Sequence, residues 1–173
     1  KKSGKDYATS TNTDIYAYDL ASGKTENWTE GMMGYDVNPK FSPDGKSLLW
    51  QSMARDGYEA DKNDIVVMDL ASKKITNLTK SWDESVVGDV AWSPDSKNIY
   101  FSTAYRGVKQ LFYIGLDGKV KQISGGNFDV NEIIAFQSGN ILVTRTDINH
   151  NADLFKVNVK DGSMLQLTSI NKD

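Results

Sequence analysis

The chain has 173 residues, a formal net charge of -3, one histidine and no cysteine. That length supports one hydrophobic core without covalent staples. The acidic balance, with Lys and Arg scattered singly, argues against nucleic acid, and the missing thiols exclude disulfides and thiolate metal sites. No run approaches the ~18 apolar residues of a membrane-spanning helix, and no apolar leader segment follows Lys1.

Taken in chain order, the elements repeat. DIYAYDLASGKTENWT (Asp14 to Thr29) reads as a β-hairpin: an alternating run, a turn of Asp, Ser, Gly and Lys, then a second short strand. PKFSPDGKSLLWQS follows, and its turn chemistry is legible residue by residue. Ser42 bonds backbone two residues on, Pro43 presets φ, Asp44 tolerates the bridge region and Gly45 accepts positive φ. DIVVMDLASKKITNLT (Asp64 to Thr79) repeats the first hairpin, and WSPDSKNIYFST (Trp92 to Thr103) repeats the second. QLFYIGLDGKVKQIS (Gln110 to Ser124), IIAFQSGNILVTR (Ile133 to Arg145) and DLFKVNVKDGSMLQLT (Asp153 to Thr168) continue the alternation, with SPDG worn down to QSG.

The anchor residues Ile15, Ile65, Leu111 and Leu154 stand 50, 46 and 43 residues apart, the period of a four-stranded propeller blade. No long segment shows a 3.6-residue apolar period. The expected fold is therefore all-β, a partial β-propeller of four-stranded antiparallel blades, half a blade plus three full blades, within one domain over 1–173. The outer hairpin of the incomplete blade is placed at 14–29 and the blades at 37–79, 89–124 and 132–168. Such a chain is expected to be cut from a larger propeller and to self-associate through its truncated blade edges.

Strands that alternate in direction sort their connections onto two ends. The SPDG and DLASGK turns share one end; the longer segments, Met53 to Asn63, Thr103 to Lys109, Thr146 to Asn151 and the connectors between repeats, share the other. Variable loops on a rigid scaffold are where binding resides. Arg55, Tyr58 and Glu59 in the longest loop, with Tyr105 and Arg106 in the next, suit contacts to a peptide carboxylate, backbone or amine; the competing reading is that the arginines brace neighbouring loops. DINHNAD (Asp147 to Asp153) spaces oxygen ligands like a calcium loop, but Ala152 stands where glycine is required and Asn158 where the bidentate Glu belongs, so a polar turn is expected. Asn27-Trp28-Thr29 and Asn77-Leu78-Thr79 are formal glycosylation sequons that share one repeat position. Trp50 and Trp92 fall on strands at core positions.

PKFSPDGKSLLWQS, VAWSPDSKNIYFS and DIVVMDLASKKITNLT resemble the WD-like propeller repeats of TolB and of the prolyl oligopeptidase family of serine peptidases. Within that family, the stretch NLTKSWDESVVGDVAWSPDSKNIYFST and the loop SMARDGYEADKND are most similar to its bacterial dipeptidyl-peptidase 5 and acylaminoacyl-peptidase-like branch. The resemblance implies a propeller that caps an α/β-hydrolase domain with a Ser, Asp, His triad, restricts entry to short peptides and works outside the cytoplasm. It also implies a role for Asp83 and Glu84, since dipeptidyl-peptidases of the family hold the substrate amine with acidic propeller residues; solvated surface charge is the competing reading. The chain departs from the family in one respect. It contains no G-x-S-x-G nucleophile elbow, and His150 sits in an Asn-rich loop. The expectation is a non-catalytic propeller portion that gates and orients peptides over a hydrolase domain elsewhere in the protein, with no cofactor and no metal. The alternative is a TolB-like scaffold for protein partners; a propeller lyase would need a cluster of metal-binding histidines.

Overall fold

The computed structural model describes residues 4–170. After one helical turn, α1 (Asp6–Thr9), come fourteen strands. A two-stranded sheet pairs β1 (Tyr16–Tyr18) with β2 (Thr25–Asn27). The first full sheet holds β3 (Asp36–Phe41), β4 (Ser47–Ser52), β5 (Asp64–Asp69) and β6 (Ile75–Asn77). The second holds β7 (Val90–Trp92), β8 (Asn98–Tyr105), β9 (Val108–Gly115) and β10 (Val120–Gln122). The third holds β11 (Asp129–Gln137), β12 (Asn140–Thr146), β13 (Asp153–Asn158) and β14 (Met164–Gln166). Neighbours in sequence are neighbours in every sheet, all antiparallel, so each full sheet is a meander blade. The architecture is the all-β partial propeller that the repeats predict, half a blade plus three full blades.

The two SPD turns are built from the same bonds. Ser42 Oγ donates to Asp44 Oδ1 at 2.6 Å and accepts from Ser47 N at 2.9 Å; Ser93 Oγ does the same with Asp95 at 2.6 Å and Asn98 N at 2.9 Å. Gly45 takes φ 69°, and Ser96 takes φ 61° in its place. The turns also touch, because Asp44 N donates to Ser96 Oγ at 3.1 Å. A short, locally satisfied turn sets the register of its hairpin.

Hydrophobic clusters fill the spaces between sheets. Ile15 meets Leu48, Trp50, Val66 and Met68 in one. On the opposite side of β4, Leu49 joins Ile65 and Val67 to Val90, Trp92, Ile99, Phe101 and Phe112 of the next blade. Tyr100 and Leu111 then meet Val130, Ile133, Ile141, Val143, Phe155 and Val157 of the last blade. Strand β4 is buried on both faces because it lies between two blades. In β12, Ile141 and Val143 are buried and Leu142 between them is less so, which fits a sheet covered on one face. Apolar residues are exposed on both terminal blades: Tyr16 and Tyr18 on β1, and Ile134 and Leu165 on the last sheet.

The first strands of the blades are stitched by polar contacts. Lys40 Nζ donates to Asp89 Oδ1 at 3.1 Å and to Val90 O at 2.5 Å, Trp92 Nε1 donates to Lys40 O at 3.0 Å, and Ile133 N donates to Asp89 Oδ2 at 3.2 Å. Pro39 is accommodated in β3 because the ladder is irregular between Val37 and Lys40, with Asn38 at φ 55°.

One further repeat explains the sequons. Thr79 Oγ1 accepts from Ile65 N at 2.9 Å and donates to Asp64 Oδ1 at 2.7 Å. Thr168 makes the matching bonds to Leu154 N and Asp153 at 2.9 and 2.7 Å, and Ser124 to Leu111 N and Gln110 at 2.8 and 2.7 Å. Thr29 accepts from Ile15 N at 2.9 Å. The hydroxyl at this position clasps the last strand of a blade to the one before it.

Candidate functional site: the loop end of the blades

Hydrogen bonds sort the connections as expected. At one end, Leu70 N donates to Lys46 O at 2.9 Å and Val159 N to Gly139 O at 3.1 Å, so the tight turns of each blade lie together. At the other end, Val86 N donates to Asn63 O at 2.8 Å, Gln51 Nε2 to Val86 O at 2.8 Å and Lys109 N to Asp129 Oδ1 at 2.5 Å. There the connectors are held on top of the preceding blade. The Val86 connector also comes close to the following blade at Gly88, where a Cβ would overlap the Ser102 carbonyl oxygen.

The longest loop, 53–63, is braced from within. Arg55 forms a two-pronged contact with Asp61, Nε to Oδ2 at 3.1 Å and Nη2 to Oδ1 at 2.9 Å, and its guanidinium lies 4.1 Å from the Tyr58 ring centroid. Those hydrogen bonds hold the Asp61 carboxyl down at about 2. The same loop docks on the segment before β1, where Asp56 Oδ1 accepts from Thr11 N at 2.7 Å and Gly57 N donates to Thr11 Oγ1 at 2.9 Å. Lys62 closes its far side by donating to Thr79 O at 2.8 Å and Trp82 O at 2.7 Å.

The second candidate loop is shorter than the sequence reading of Thr103 to Lys109. Strand β8 runs to Tyr105, which pairs with Val108, leaving Arg106-Gly107 as a two-residue turn with φ 54° and 89°. Positive φ at both central residues matches the twist of the hairpin. Tyr105 is packed edge-on to Phe112 with centroids 5.5 Å apart, and the Arg106 guanidinium lies 5.2 Å from the Tyr105 ring. Glu59, Asp83 and Arg106 are exposed and Glu84 is half-buried. Among the described residues none of these four has an ion-pair partner. The described contacts tie Arg55 to Tyr58 and Asp61, and Arg106 to Tyr105, but do not join the two groups. The calcium-like loop is a polar turn, in which Asp147 Oδ1 accepts from Asn149 N, His150 N and His150 Nδ1 at 2.9, 3.0 and 2.8 Å.

Beneath these loops lies a feature that the sequence reading did not single out. Each cleft between blades is plugged from the connector that spans it. Met32 and Trp82 occupy one repeat position, each donating its N–H to the threonine three residues earlier, Thr29 at 3.0 Å and Thr79 at 2.9 Å. Trp82 packs on Phe101 and Phe112 at 5.4 and 5.6 Å. The third connector is short, and its plug is Phe128, with Arg145 stacked 4.0 Å above the ring.

Four-stranded meanders with SPD turns, stacked face to face and carrying their varied loops at one end, define a β-propeller of the WD-like class. The chain belongs to the TolB beta propeller domain family, whose model matches residues 6–173. It is 44% identical over 173 residues to dipeptidyl-peptidase 5 of Porphyromonas gingivalis, a match that covers 99% of this chain and 25% of that protein. The chain thus spans about a quarter of the length of that curated relative. The structure of Porphyromonas gingivalis dipeptidyl peptidase 4 superposes with a TM-score of 0.68 at 13% identity, over 91% of this chain and 23% of that one. TolB from Acinetobacter baumannii superposes with a TM-score of 0.67 at 16% identity, over 95% of this chain and 39% of that one. The structural matches speak to the fold alone.

Proposed function

We propose that this chain is the propeller portion of a serine peptidase of the dipeptidyl-peptidase type, and that its loop end admits and orients short peptides over a catalytic α/β-hydrolase domain elsewhere in the same protein. The observation that carries this reading is the 44% identity across 99% of the chain to a dipeptidyl-peptidase of which it covers 25%.

On this proposal the work is divided among the seven candidate residues. Arg55 and Tyr58 stiffen the long loop, since the guanidinium is already engaged by Asp61. Tyr105 supports the hairpin from which Arg106 projects. Asp83 and Glu84, which follow the Trp82 plug and have no ion-pair partner among the described residues, meet the peptide amine, with Glu59 adding to the same negative rim. Arg106 faces the peptide backbone or a carboxylate. The role of the chain is positional, since proximity and orientation lower a barrier without any catalytic group on the propeller itself.

Extending the reading frame tests the proposal. A frame that contains a G-x-S-x-G segment, and a full-length protein that releases dipeptides until that serine is replaced by alanine, is the expected result. A frame without the elbow, in a protein that hydrolyses no peptide, overturns it in favour of a TolB-like scaffold for protein partners.

A further inference from the structure

The clefts between blades are equivalent by register but not by content. Arg145, Asp153, Phe155 and Gln166 of the last blade stand where Thr103, Gln110, Phe112 and Gln122 stand in the blade before, as the strand pairings show. In that preceding blade, Trp82 packs into the position against Phe101 and Phe112. In the last blade the short connector offers only Phe128. The first full blade keeps a cavity of ≈ 280 Å³ at the same position beside Met32, lined by Ser52, Asp64, Val66 and Asn77; the last blade has one of ≈ 300 Å³, set apart by its charged lining of Arg145, Asp147, His150 and Asp153, with Gln166 and Ser169.

The polar groups around it are unevenly satisfied. Both Asp153 oxygens are engaged, Oδ1 by Thr168 Oγ1 at 2.7 Å and Ile170 N at 3.1 Å, and Oδ2 by Gln166 Nε2 at 3.2 Å. Asp147 Oδ1 accepts three bonds within its turn. Among the described residues its Oδ2 has only Arg145, at 3.8 Å, beyond hydrogen-bonding distance. Arg145 is held between two rings, 4.0 Å from the Phe128 centroid and 4.6 Å from that of Phe155, with its side chain 25% exposed. A planar guanidinium fixed by stacking presents its donor fork in one direction. Beside it stands a carboxylate oxygen without a hydrogen bond. An anion alone would meet the repulsion of Asp147 and Asp153, and a cation alone that of Arg145.

We propose that this cleft binds a small zwitterion, an amino acid or a dipeptide, with its carboxylate on the Arg145 fork and its ammonium on Asp147 Oδ2. The site stands on its own geometry; only the choice of a dipeptide as one source draws on the peptidase reading.

The test is a calorimetric titration of the full-length protein, with any G-x-S-x-G serine replaced by alanine so that no probe is cleaved, with alanine, Ala-Ala, Ala-Ala amide and N-acetyl-Ala-Ala. Saturable binding of alanine or Ala-Ala is expected, with the tighter of the two identifying the source, and each blocked dipeptide at least about tenfold weaker than Ala-Ala. Arg145→Gln, with its melting temperature checked, loses at least about tenfold in affinity. Ser169→Phe, at an exposed lining position, abolishes binding by filling the cavity. Failure of both zwitterions to bind, equal binding of blocked and free dipeptide, or full affinity in folded Arg145→Gln or Ser169→Phe overturns the proposal. Because binding is read without turnover, such a failure leaves the peptidase reading untouched.

Discussion

Thr79→Val isolates the hydroxyl clasp that holds the last strand of a blade. The replacement keeps the shape of a side chain that is fully buried but removes two bonds, the one accepted from Ile65 N at 2.9 Å and the one donated to Asp64 at 2.7 Å. Stranding the buried N–H of Ile65 costs about 1–3 kcal/mol. Asp64 keeps Lys62 and Asn77, both at 2.8 Å, so loss of the second bond adds about 0.5–1 kcal/mol. The sum is a destabilisation of about 1.5–4 kcal/mol. Thr79→Ser keeps the hydroxyl and loses one methyl, about 0.8 kcal/mol. At Thr168, half-buried in the last blade with the same bonds, water can replace the lost partner, and Thr168→Val costs about half as much as Thr79→Val. Urea unfolding followed by tryptophan fluorescence reads all three, and an unchanged m-value assigns the effect to stability. A Thr79→Val variant no less stable than Thr79→Ser refutes the clasp.

Two further predictions concern the loop end. Trp82→Ala removes the plug between the first and second full blades; a core tryptophan costs about 3–5 kcal/mol, and for this half-buried one about 2–3 kcal/mol is expected by calorimetry, with loss below about 1 kcal/mol contradicting a packing role. The Arg55–Asp61 brace is pH-dependent. The Asp61 carboxyl titrates at about 2 in the fold and near ~3.9 when unfolded, so its contribution is complete above the unfolded value and disappears as pH falls towards 2. Tyr58 ring resonances and protease resistance at Arg55 are expected to hold from pH 7 to about 4.5 and to change below about 4; a change above pH 5 contradicts the brace.

What was legible in the sequence is what is encoded locally. The SPD turns announce themselves because serine, aspartate and a positive-φ residue satisfy one another within five positions, and the same bonds recur at Ser42 and Ser93. The clasp threonines were visible as a shared position, although sequence alone offered a glycosylation reading beside the structural one. The candidate site was less legible because its partners lie across the fold. For Arg55 the sequence left ligand contact and a loop brace side by side without naming Asp61 as its partner, and Arg106-Gly107 looked like a loop because Arg is an uncommon residue in a left-handed turn. Arg145 was not singled out, since a charged residue near the end of a strand reads as solvated. The signal lay in the repeat: a guanidinium stands where Ser52 and Thr103, both buried, hold the equivalent positions in the other blades.

The central claim is that function resides at the loop end and structure at the turn end. Measuring kcat/KM for dipeptide release from a short peptide by the full-length protein tests it, with Asp83→Asn/Glu84→Gln at one end and Lys73→Ala/Lys97→Ala at the other. Loss of at least about tenfold is expected for the acidic pair, the size of a charge-assisted contact, with the lysine pair within about twofold of wild type. Equal effects at the two ends, or none from the acidic pair, would contradict the account.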